Sequence, residues 1–216
     1  DDYVETYSHI SLSLDRSICF DAKFPEINFT DMSKSPISID LDFMLSFGGW
    51  GLAVYGDTKW VGTPNELSDD GNWHFYCVTA ADGLYENINI YEDGNLLTTS
   101  TGGASNAIYS TSSNNVKIGK AFDNEPYFEG YIDRISLWDK VLNQSDILSL
   151  YNDSYFENSG LVAHFNFNAG TGNILHDYSG NGNHGTINGA TWVTNETTKY
   201  VSIEALDETE NGSQTH

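Results

Sequence analysis

Apolar and polar residues alternate with a period of two along most of this chain, and the alternation lapses in runs rich in Gly, Ser, Thr and Asn. Such a rhythm predicts strands with one buried face, separated by turns. Tyr3-Val4 and Ile10 to Leu14 predict a first strand and its continuation. Ser17 to Phe24 predicts a second, with Ile18, Phe20, Ala22 and Phe24 on one face and Cys19, Asp21 and Lys23 on the other. Pro25 to Pro36 is polar and turn-rich, a connecting loop. Ile37 to Phe47 resumes the alternation through Ile37, Ile39, Leu41 and Phe43, and Leu52 to Tyr55 continues it after Gly48-Gly49. Trp73 to Leu97 predicts two strands joined around Ala81-Asp82-Gly83 and closed at Glu92-Asp93-Gly94-Asn95, whose Asp-Gly pair suits a tight turn with positive φ. Thr98 to Asn115 reads as a long Ser/Thr/Gly/Asn-rich connection, and Val116 to Gly119 opens the next strand.

The period changes once. From Phe128 to Trp138 the pattern is again that of a strand, with Tyr131, Arg134 and Ser136 set between Ile132, Ile135, Leu137 and Trp138. After Lys140 the apolar residues fall at Leu142, Ile147, Leu148, Leu150 and Tyr151, a helical spacing. Asn143 or Ser145 is available as N-cap, and Asp146 suits the first turn. A strand therefore runs into one short helix.

Composition supports a packed β domain. The chain of 216 residues is 39% hydrophobic and 13% aromatic, and its 20 glycines supply turns. Such a length suits one domain, which we expect to span 1–203, with an acidic, disordered tail at 204–216. Acidic residues outnumber basic ones 31 to 9, a formal charge of -22, so nucleic acid is excluded as a partner and an anionic membrane would repel the chain. No apolar run is long enough to insert into a membrane. Clustered carboxylates of this abundance also suit divalent cations. Cys19 and Cys77 lie in two predicted strands without a CxxC partner. They form either one long-range disulfide or two buried thiols, and spacing does not decide between them, although thiols are the favoured reading. Five N-x-[ST] sequons, at Asn28, Asn143, Asn152, Asn195 and Asn211, do not by themselves establish glycosylation in a chain so rich in Asn, Ser and Thr.

Four stretches together resemble a known family. The run Phe128-Glu-Gly-Tyr-Ile-Asp-Arg-Ile-Ser-Leu-Trp138 with its following helix is similar to the late strand and helical turn of laminin G-like domains of the concanavalin A-like lectin/glucanase superfamily. Gly71-Asn-Trp-His-Phe-Tyr-Cys-Val78 with Ile90-Tyr-Glu-Asp-Gly94 resembles the family's central hairpin, and Asp1-Asp-Tyr-Val-Glu5 an early strand. Leu161 to Trp192 resembles the motif that usually opens the domain. Here it comes last, as in a circular permutation or an excision from a repeat array. The resemblance implies an all-β, antiparallel two-sheet sandwich of jelly-roll type with one short helix.

Candidate chemistry follows from both routes. Glucanases of this superfamily carry a catalytic pair as E-x-D-x-E, two carboxylates flanking the scissile bond. The aligned run here is Ser38-Ile39-Asp40-Leu41-Asp42, with Ser in place of the nucleophile and a shortened Asp in place of the acid, so no hydrolase is expected. No G-x-S-x-G elbow supports a serine triad. The loop Asp177-Tyr-Ser-Gly-Asn-Gly-Asn-His-Gly185 offers one carboxylate and two amides on a backbone able to curl, which suits Ca²⁺ or, without an ion, an Asx-turn network. Asp177, Asn181 and Asn183 are the expected ligands, with Asp133 and the N-terminal Asp1 and Asp2 added by resemblance. His184 lacks a second His or Cys at ligand spacing and reads as a loop hydrogen-bond partner. Trp73 and His74 read as packing residues. Trp50, between Gly49 and Gly51, and Trp60, shortly after Gly56-Asp57, lie in turn-like surroundings. There an indole could stack on a sugar ring, although core placement is the equal alternative.

The resulting expectation is an extracellular or cell- or virion-surface recognition module that binds a glycan or glycoprotein with Ca²⁺ and forms part of a larger multidomain chain. Its alternatives are a protein-interaction or spacer module of an adhesin-like protein and, less favoured, a glycan hydrolase.

Overall fold

A computed structural model describes residues 2–24, 34–40, 43–56, 59–64, 66–68, 70–103, 115–121, 127–154, 158–195 and 198–204. The strands are β1 (Tyr3–Thr6), β2 (Arg16–Lys23), β3 (Lys34–Asp40), β4 (Phe43–Gly48), β5 (Gly51–Tyr55) and β6 (Lys59–Gly62). They continue with β7 (Trp73–Ala80), β8 (Ile88–Glu92), β9 (Asn95–Leu96), β10 (Ser100–Gly103), β11 (Lys117–Ile118) and β12 (Tyr131–Trp138). Helix α1 (Gln144–Tyr151) precedes β13 (Leu161–Phe165), β14 (Ile174–Leu175), β15 (Gly185–Asn188), β16 (Thr191–Asn195) and β17 (Thr198–Glu204).

Two antiparallel sheets carry the fold, as the alternation predicts. One has nine strands in the order β10-β6-β5-β4-β3-β11-β1-β15-β14, and the other six in the order β13-β12-β2-β7-β8-β9. Their facing sides form one apolar core, to which the first sheet gives Val4, Ile37, Leu45, Val54 and Val61 and the second Phe20, Val78, Ile90, Ile135 and Phe165. The period of two is therefore a record of which face each residue occupies. A second cluster forms on the outer side of the six-stranded sheet. There Cys19, Phe75, Cys77, Tyr91 and Trp138 are covered by Leu142 and by Ile147 of α1. A two-stranded sheet of β16 and β17 completes the pairings.

The helix begins where its capping chemistry sets it. The Asn143 side chain accepts from the backbone N–H groups of Ser145 and Asp146 at 2.9 and 3.0 Å, and Asp146 accepts from the Asn143 backbone at 3.3 Å. This reciprocal capping box leaves no question between Asn143 and Ser145 as N-cap. The segment Leu161–Phe165 pairs with β12, and Gly185–Asn188 with β1, so the stretch from Leu161 to Trp192 contributes to both sheets.

Four expectations are corrected. Cys19 and Cys77 are directly opposed on β2 and β7 and are joined as a disulfide, because the register places both on the outer face. Ile37 to Phe47 is not one strand, since β3 and β4 pair with each other as a hairpin. Ile10 to Leu14 forms no strand beyond an isolated bridge at Ile10, although Ile10 and Leu12 are buried in the core. The connection from Thr98 includes a strand, β10, paired to β6. Of the tail expected at 204–216, Glu204 ends β17, and the rest, from 205 on, lies outside the described residues.

Candidate functional site

The two tryptophans singled out by their glycine-flanked settings are brought together. Val54 and Val61 pair across β5 and β6 and face the core, so the neighbouring pair Tyr55 and Trp60 faces outward. Trp50, in the turn between β4 and β5, folds onto Trp60 with ring centroids 4.5 Å apart and planes at 29°. Trp50 remains 46% exposed. Glycines make this arrangement possible. Gly51 stands at φ +67° and passes so close to Thr63 that a Cβ would meet its carbonyl oxygen at 2.1 Å. A Cβ on Gly62 would lie 2.8 Å from the Trp50 carbonyl oxygen, and one on Gly102, opposite Trp60 on β10, would lie 2.6 Å from Trp60 Nε1. Trp60 thus lies over Gly102 and stacks against Trp50, whose indole stays partly open to solvent.

The Asp177 loop is built differently. Asp177 Oδ1 accepts from the backbone N–H groups of His164 at 2.9 Å and Ser179 at 2.8 Å. Its Oδ2 accepts from Ser179 Oγ and the Asn183 backbone, both at 2.8 Å. Burial works against the charge, but these donors hold the carboxyl below the usual carboxylate range. Asn181 and Asn183 turn their amide N–H groups onto the Leu161 and Val162 carbonyls of β13, at 2.9 to 3.0 Å. His184 Nδ1 accepts from the Asp177 backbone at 2.9 Å, the loop role expected of it.

The four expected calcium ligands are not assembled. Asp177, Asn181 and Asn183 share the loop, while Asp133 lies on β12 and pairs in register with Asp21 of β2. The oxygens of Asp177 are taken by N–H and O–H donors, so this arrangement does not fit Ca²⁺, which needs 6 to 8 oxygens turned toward one point. Among the described residues no group of three or more His, Cys, Asp or Glu is placed to hold a metal. Asp2 precedes β1, and Asp1 lies outside the described residues.

A third feature was not foreseen. On the outer side of the six-stranded sheet a cleft of about 320 Å³ runs past the end of α1, lined by Arg134, Trp138, Leu150, Asp153, His164 and the 55% exposed Tyr178, among others. It adjoins a pocket of about 180 Å³ that shares Phe75 and Arg134 and includes Asp21, Trp73, Asp133 and Tyr151. A register shift of β12 against β2 between Asp133 and Ser136, with Arg134 at φ 45°, aims the Arg134 guanidinium at Asp21 and Asp153. Asp133 is pushed up to about 7, by burial first and also by the charge of Asp21. The sequence signals for this region are Asp133, expected only as a calcium ligand, and the polar positions of Asp21, Arg134 and Ser136 on strands whose other face is core.

At Ser38 the enzyme reading gains no nucleophile. Ser38 is buried and its Oγ donates to the Lys120 and Ala121 carbonyls at 3.0 and 3.4 Å. Asp42 lies outside the described residues. His74 sits between Asp93 (2.8 Å from Nδ1) and Asp70 (3.0 Å from Nε2), a structural bracket in keeping with its packing role.

Sequence comparison matches residues 27–148 to the laminin G type of the Concanavalin A-like lectin/glucanases superfamily. No curated protein matches the chain. Among solved structures, a Bacteroides ovatus protein described provisionally as carbohydrate binding superposes with a TM-score of 0.61 at 15% identity, covering 95% of this chain. The chain spans 60% of that protein's length. A heptameric SAP-like pentraxin from Limulus polyphemus gives 0.49 at 14% identity, over 69% of this chain and 75% of its own. The CBM40 of a Ruminococcus gnavus IT-sialidase, bound to α2,3-sialyllactose, gives 0.47 at 13% identity, over 68% and 92%. Those two scores are too low to add to the fold assignment. With the sequence match covering more than half of the chain and both sheets in place, the protein belongs to the Concanavalin A-like lectin/glucanases superfamily.

Proposed function

We propose that this domain is a non-catalytic carbohydrate-binding module that stacks a sugar ring on Trp50, with Trp60 as its support. The observation that carries the reading is the braced, outward indole. A large apolar ring held in place before binding loses little conformational freedom when a ligand arrives, and its face suits the C–H side of a pyranose. The provisional carbohydrate-binding description of the Bacteroides ovatus protein agrees with this reading. The buried and internally bonded Ser38 argues for recognition without cleavage. The disulfide suits an oxidising, extracellular setting, such as a surface or adhesion protein of several domains. Calcium is assigned no ligands in this proposal.

One stacking face and a few hydrogen bonds give weak monovalent affinity, on the order of 0.1 to 1 mM, which repeated domains would raise through avidity. A glycan array probed with multimerised wild type and Trp50→Ala tests the proposal. Retention on a defined set of glycans by the wild type alone is the expected result. Equal retention by the variant would remove Trp50 from the site, and no retention by the wild type would favour a spacer role.

A further inference from the structure

Of the three carboxylates that line the pocket beside the end of α1, Asp21 and Asp93 have both oxygens occupied and Asp133 does not. Asp21 receives the Arg134 guanidinium through Nε and Nη2, the latter at 2.9 Å. Asp93 accepts from the Phe75 backbone at 2.9 Å and holds His74 Nδ1 at 2.8 Å. Asp133 Oδ1 accepts from the Arg134 backbone at 2.7 Å, but Asp133 Oδ2 has no hydrogen-bond partner although the residue is only 1% exposed. A buried carboxyl oxygen without a donor is a costly arrangement that a fold seldom keeps without a use for it.

The rest of the lining indicates what donor would suit. Trp73, Phe75 and Tyr151 bring three aromatic rings to the same pocket as Asp21 and Asp133, and the Arg134 guanidinium is already engaged by Asp21 and Asp153. Carboxylate together with aromatic rings is the chemistry that recognises a cation, through Coulomb attraction and the electron-rich ring faces. A metal ion would want several oxygens free, and only one is. A pocket of about 180 Å³ around an almost closed carboxyl admits a slender chain end more readily than a ring-borne group.

We propose that this pocket binds a primary ammonium group on an unbranched alkyl stem, such as that of a lysine side chain, with Asp133 as its acceptor and counter-ion. The site is separate from the Trp50–Trp60 platform and does not depend on the glycan reading.

Titration of the ¹⁵N-labelled protein with n-butylammonium, Nα-acetyl-lysine methylamide, glucosamine and neutral n-butanol tests it. The Trp73 indole N–H and the Arg134 Nε–H should shift in a saturable way with the two alkylammonium probes and not with butanol. Asp133→Asn, which keeps the shape of the side chain, should weaken that binding at least about tenfold, the effect of losing a charge-assisted hydrogen bond. Trp73→Ala, at the half-buried start of β7, provides a second variant and should weaken it as well. An unchanged titration in both variants, or no saturable shift with either alkylammonium probe, as when Oδ2 merely holds a water, would overturn the proposal. A response to glucosamine alone would overturn the unbranched stem.

Discussion

The Trp50–Trp60 platform and the Asp177 loop have similar sequence credentials, each a set of ligand-type residues among glycines, yet the fold uses them in opposite ways. In the loop, both carboxylate oxygens of Asp177 and the amide N–H groups of Asn181 and Asn183 are occupied by the backbone and side chains around them. At the platform, the glycines remove steric bulk so that one indole braces another and a ring face is left over. What separates a binding surface from a structural knot is the interaction capacity remaining after folding, and composition does not report that quantity.

The comparison breaks most visibly in stability. Asp177→Ala would leave the backbone N–H groups of His164, Ser179 and Asn183 without their acceptor, and we expect a loss of ~3–5 kcal/mol, lowering Tm by on the order of 10 °C. Thermal unfolding checks it. A variant that melts with the wild type would mean that the loop is not a structural tie.

Asp133 comes next. Without a bound cation its folded value of about 7 stands above the ordinary 3.8, so the protonated form is then the one the fold favours. The stability this contributes is fully present below 3.8 and is lost as pH rises toward about 7, by at most ~4 kcal/mol. Asp133→Asn should flatten that decline, which chemical denaturation at several pH values between 4 and 8 would reveal as a smaller difference across the series.

Much of the fold was legible because burial imposes period two on strands and the change to helical spacing after Lys140 marks α1, although Asn143 and Ser145 stayed open as its N-cap until the capping box decided between them. The hairpin inside Ile37 to Phe47 was not legible, because alternation continues through a reversal of direction. The disulfide depended on a β2–β7 register that sequence spacing does not contain. At the site, Trp50 and Trp60 were visible as residues, but their stacking depends on Gly102 of a strand not expected at all. The Asp133 pocket depends on the register shift of β12 against β2, a strand far from it in sequence, and on the end of α1.

Calcium offers a smaller effect. Since the Asp177 oxygens are already occupied, melting curves in EDTA and in millimolar calcium should coincide. A site filled at 100 times its Kd would instead add ~2.7 kcal/mol. A clear rise in Tm with calcium would show that the loop reorganises around an ion.

The most direct test is a titration of the labelled protein with a glycan retained on the array, followed at the indole N–H resonances of Trp50 and Trp60 and at the amides of Asp177 to Asn183. The account predicts saturable shifts at the two indoles, their loss in Trp50→Ala with Tm nearly unchanged, and a quiet Asp177 loop. Shifts confined to the loop, with both indoles unmoved, would contradict it.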